Sequence, residues 1–164
     1  MTLYPWVVFA HVVLVILAAG AHGVSAFAMF RIRSETDRSR VAALVDLSTS
    51  SLITAGVGMI LAIITGIVAA IMGGHFSLLW PWASIAVVVA IILVMTPLAA
   101  NPMNEVRKTL GQRVRTDKKG APPRQPGSDA ELAAARSRLR PELVATLGVA
   151  AILVLVWLME QKPF

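Results

Sequence analysis

The 164 residues are 57% hydrophobic and only 15% charged, with a net charge of +6 and a mean hydropathy of +0.74. Soluble domains average about 45–50% apolar and about 25% charged residues. This composition therefore excludes a disordered chain, a collagen or a coiled coil, and it leaves too little polar side chain to coat a water-soluble globule. Cysteine is absent, which excludes disulfide scaffolds, thiolate zinc sites, iron–sulfur clusters and cysteine nucleophiles.

A helix needs about 20 mostly apolar residues to cross a hydrocarbon core. Four stretches meet that length, at about 4–30, 41–72, 79–100 and 143–159, and predict a single all-α domain, a membrane four-helix bundle with antiparallel neighbours. The first span is no cleavable signal, because it lacks a basic n-region and is too long for an h-region. A loop with Arg31, Arg33, Arg38 and Arg40 follows it. The second span carries a small or polar residue at every fourth position: Asp46, Ser50, Thr54, Gly58, Ala62, Gly66 and Ala70. Ala19 and Gly23 form a shorter ridge in the first span, and such ridges let helix backbones approach in lipid. They suit either packing within the bundle or a homodimer face.

The connection at 73–79 has no charged residue, and the third span contains Pro97, which removes a backbone hydrogen bond and predicts a bend near its inner end. Asn101-Pro102 reads as a break, followed by a short amphipathic helix over 105–114. Residues 118–127 (KKGAPPRQPG) read as a flexible linker. Ser128 with Glu131 matches a capping box and predicts a helix start, with Pro141 as a kink or boundary before the fourth span.

Ten basic residues from Arg107 to Arg140 fill this loop of 101–140. Together with the first loop they give the positive-inside asymmetry, which predicts both basic loops in the cytoplasm and both termini outside. Trp6, Trp80, Trp82 and Trp157 fall near the predicted outer boundary, where indoles prefer to sit. This distribution predicts attraction to anionic lipid headgroups and argues against nucleic acid as a partner. It predicts a multi-pass membrane protein.

Ionisable residues within a membrane are functional candidates because their burial is costly. His11 and His22 lie eleven residues apart, which on a straight helix is three turns within about 20° and about 16 Å of rise. They share a face but cannot both hold one ion. His22 and Asp46 occupy the inner half and form a candidate proton relay, with Asp46 or Ser50 orienting the imidazole; otherwise Asp46 pairs with a loop arginine. His11 and His75 lie toward the outer side. Neutral imidazole suits haem iron, copper or zinc, so these two, with His22 as an alternative, are candidate ligands for haem b or copper. The ordinary alternative for each is structural. Gly-x-Ser-x-Gly and the zinc-protease motif are absent, and Ser48–Ser51 and Thr54 read as helix-to-helix hydrogen-bonding groups.

Several short stretches carry a resemblance: Phe9-Ala10-His11-Val12, Ile53-Thr54-Ala55-Gly56, Gly73-Gly74-His75-Phe76-Ser77, Pro97-Leu98, and Trp157-Leu158-Met159 with Lys162-Pro163. The chain resembles the DUF2269 family of bacterial integral membrane proteins, whose function is uncharacterised. Where that family usually has Trp-x-Gly-Gly, this chain reads Ala18-Ala19-Gly20-Ala21-His22-Gly23. A looser likeness, through His11 alone, is to the copper-resistance D domain and to the four-helix protoporphyrinogen oxidase; it implies haem or metal at His11 and no particular activity. The leading functional expectation is a small non-catalytic subunit or helper of a membrane complex. A haem b or copper protein and a proton or small-solute transporter compete with it.

Overall fold

A computed structural model of the chain describes every residue except Met1, Arg115, Lys119, Ala121, Pro123 and Phe164. The basic positions Arg115 and Lys119, and part of the 118–127 segment, thus lie outside the described residues. The described residues form helices α1 (Tyr4–Ser34), α2 (Arg38–Met72), α3 (Trp80–Met95), α4 (Asn101–Thr109), α5 (Asp129–Ser137) and α6 (Pro141–Gln161), with no strand among them. Four helical stretches are long and apolar enough to cross a membrane, and between 6% and 17% of each apolar window is buried inside the molecule. The predicted four-span helical architecture is present.

Local chemistry explains the boundaries. The Asp37 side chain caps α2 by accepting from the Ser39 and Arg40 amides. The Gly73–Gly74 exit from α2 needs the left-handed conformation at Gly74 (φ 67°), which glycine adopts without a Cβ clash. At Pro97 the missing N–H opens the helix into one wide π-helical turn, Thr96–Ala100, and the Asn101 amide reaches back to the Thr96 carbonyl. Asn101-Pro102, expected as a break, instead starts α4. Proline fits a first helical turn because that turn's amides need no intrahelical acceptor. The amphipathic helix expected over 105–114 therefore begins earlier and ends at Thr109. The Ser128–Glu131 capping box is formed. Pro141 is a boundary, with Arg138–Arg140 separating α5 from α6.

Packing runs in the order α2–α1–α6–α3, each helix antiparallel to its neighbour. Although α2 and α3 are consecutive, they share little surface among the described residues, so the row is open along the spans. Tyr4, His11, Ala18, Ser25 and Ile32 form the α1 seam at seven-residue spacing. Ala18 meets Gly58, Ser25 Oγ bonds Ser48 Oγ at 2.8 Å, and His11 lies on Gly66. Seven-residue spacing keeps one face turned to a partner when helices wind at 3.5 residues per turn. A buried apolar cluster sits at the basic end: Met29, Ile32, Val41, Val45, Met103, Val106, Leu132, Ala135, Leu139 and Val144. There α4 and α5 close over the ends of α1 and α2.

Candidate functional site

The three histidines stand against three different elements. His11 lies over Gly66, where an added Cβ would come within 2.9 Å of the ring. Its Nδ1 is 2.8 Å from the Ala62 carbonyl. A carbonyl only accepts, so Nδ1 is the donor in this contact. Thr65 Oγ1 lies 3.4 Å from the same Nδ1.

His22 faces α6. Its ring rests on Gly148, whose missing Cβ would stand 2.7 Å from Nε2, and Nε2 is buried with no hydrogen-bond partner among the described residues. A straight helix brings His11 and His22 to one face, but on a seam wound at 3.5 residues per turn eleven residues add about 50°. That rotation moves His22 off the α2 seam and onto the next neighbour. Beside it, a cleft of about 300 Å³ runs between α1 and α6, lined by Ala19, Gly23, Ala26, Phe27, Phe30, Ala145 and Val149 among others.

His75 belongs to the short helical turn His75–Ser77 after α2. Its Nε2 is 3.3 Å from the Tyr4 hydroxyl, and its ring packs on Trp80 at 5.5 Å between centroids. Phe76 and Trp82 stack beside it, and the Trp82 indole donates to the Phe76 carbonyl at 3.2 Å. Tyr4 lies two turns, about 10 Å, from His11 along α1.

The structure thus joins neither His11 with His75 nor His22 with Asp46. The Asp46 carboxylate accepts from Gln112 Nε2 at 2.9 Å. Ser50 and Thr54 turn their hydroxyls onto their own helix, to the Asp46 and Ser50 carbonyls. No group of three His, Asp or Glu side chains able to hold a metal occurs among the described residues. Two of these imidazoles do not converge on one point, so the donor set does not fit a haem or copper ion shared between them.

The i+4 ridge of α2 divides for a geometric reason. Each four-residue step turns the helix by 400°, so successive ridge positions drift by about 40°. Gly58, Ala62 and Ala70 are buried and Gly66 is half-buried, whereas Ser50 and Thr54 are exposed. Gly23 is also exposed, and a Cβ there, as at Gly20 and Gly56, would meet nothing within 4 Å.

The basic end holds a polar network whose members the sequence shows only as charge. Arg38 donates to Asp129 Oδ1 at 3.0 Å, to the Thr109 carbonyl at 2.6 Å and to the Gly127 carbonyl at 2.8 Å. It ties the start of α2 to the end of α4 and the start of α5. Gly127, at the end of the expected flexible linker, donates its amide to the Thr109 carbonyl at 2.9 Å. Arg107 reaches from α4 to the Thr49 hydroxyl, and Arg33 grips both Glu142 oxygens at 3.0 and 2.9 Å. The Ser39 hydroxyl and the Arg40 and Ser39 amides hold the Asp37 carboxyl below its ordinary value, and the Val114 amide and Arg124 do the same for Asp117. These bonds build a cap over the helix ends. No protein-family model, no curated protein and no solved structure matches this chain.

Proposed function

We propose that this chain is a non-catalytic subunit of a larger membrane complex, in a bacterial inner membrane with both basic loops in the cytoplasm. The observation that carries the reading is the open helix row. The basic end is capped and closed, while Gly20 and Gly56 in the spans have open space where a Cβ would stand. Helices in lipid associate by close backbone approach at small residues, so faces of this kind accept another helix. The DUF2269-like resemblance belongs to the same proposal.

The test is native electrophoresis of the chain extracted from its own membranes in mild detergent, with subunits identified by mass. We expect a species larger than the chain alone, with defined stoichiometry, that dissociates on Gly56→Leu while the far-ultraviolet circular dichroism of the isolated chain stays unchanged. A monomer in both cases overturns the proposal.

A further inference from the structure

We infer that the cleft between α1 and α6 binds a neutral, lipid-soluble molecule that offers one carbonyl or hydroxyl oxygen to His22, the chemistry of an isoprenoid quinone head. The inference stands independently of any partner subunit.

Three observations meet in one place. First, His22 Nε2 is buried and has no hydrogen-bond partner among the described residues. Hydrocarbon cannot satisfy such a group, so leaving it unpaired is costly. Every other described histidine is served, His11 by Ala62 and His75 by Tyr4. Second, the cleft beside it measures about 300 Å³ and is otherwise apolar: small residues (Ala19, Gly23, Ala26, Ala145, Gly148) form much of its lining, and Phe27 and Phe30 form an aromatic wall. Sites for small molecules combine an apolar lining with few polar groups that set orientation, and this volume lies at their lower limit. Third, Phe27 and Val149 are exposed at 65% and 58%, so the cleft is open on the side that faces the bilayer and a ligand can enter from lipid.

Depth decides the class. His22 precedes Arg31 by nine residues, which puts it about 13 Å inside the basic end of the span. A charged or zwitterionic phospholipid head cannot follow a chain to that depth, because charge in the hydrocarbon region is costly. An acyl chain can fill the cleft but leaves Nε2 unserved. An uncharged ring bearing a carbonyl or hydroxyl oxygen meets both demands: a carbonyl accepts from a protonated Nε2, and a hydroxyl donates to a bare one.

The experiment titrates purified protein in dodecyl maltoside with ubiquinone-1 and measures bound probe by equilibrium dialysis. We expect saturable binding near one probe per chain, weakened at least tenfold in His22→Phe, abolished in Gly148→Leu, and unchanged in His11→Phe. Nitrogen-15 spectra of the unmodified protein give a second readout that needs no variant: the His22 ring signals should move with the probe while those of His11 and His75 stay in place. Absence of saturable binding overturns the inference. So does equal affinity in His22→Phe, which marks the cleft as an acyl-chain groove, and so do stationary His22 signals.

Discussion

At the scale of single residues, glycine positions are distinguished by what stands over them. A Cβ on Gly66 would meet the His11 ring at 2.9 Å, whereas one on Gly56 meets nothing within 4 Å. Gly66→Ala must push the imidazole aside and strain its bond to the Ala62 carbonyl. We expect a loss of about 1–3 kcal/mol, the usual cost of overpacking a tight contact. Gly56→Ala removes backbone freedom from a helix interior without a clash, and should stabilise the isolated chain by about 0.5–1 kcal/mol. Reversible unfolding of both variants in mixed micelles checks the pair; equal effects would refute the contact at Gly66. The sequence alone ranked Gly58, Ala62 and Gly66 with Ser50 and Thr54 as one ridge. The 40° drift per step separates them, and only the placement of α1 says where the ridge leaves the interface.

Among elements, the cap is where local and tertiary information meet most closely. The α5 start was legible because a capping box is a local device: Ser128 Oγ and Glu131 satisfy each other's orphan amides within one turn. Asn101-Pro102 has the sequence pattern of a break but starts α4, since the role of Pro102 depends on where Pro97 has already opened the helix. Arg38 could not be recognised from the sequence as anything but one of many loop cations. Its contacts with Asp129, Thr109 and Gly127 span 71 to 91 positions of chain. Arg38→Ala should free the α4–α5 segment without unfolding the spans. Limited trypsin digestion of the reconstituted protein should then cut after Arg113 or Arg124 about tenfold faster, the change expected if about 1.4 kcal/mol of local stability is lost. An unchanged cleavage rate would show that the network is redundant.

For the whole molecule, the absence of cysteine makes orientation directly measurable. Ser77 lies at the end with His75 and the tryptophans, and Ser137 ends α5 at the basic end; both are exposed. In intact cells, a membrane-impermeant maleimide should label Ser77→Cys and leave Ser137→Cys unlabelled until the membrane is opened. The reverse pattern would invert the orientation read from the basic loops.

What the sequence determined by itself are the properties that depend on composition and short spacing: four spans of sufficient length, the basic and uncharged loops, and the cap at Ser128. Each follows from about 20 residues or fewer, because hydrocarbon thickness and helix geometry act locally. The neighbours of His11, His22 and Asp46 were decided only by tertiary structure. His11 meets α2, His22 meets α6, and Asp46 turns to Gln112. The reason is that which helix stands beside each face of α1 depends on how α2 and α6 pack against it, and those contacts join residues far apart in the chain.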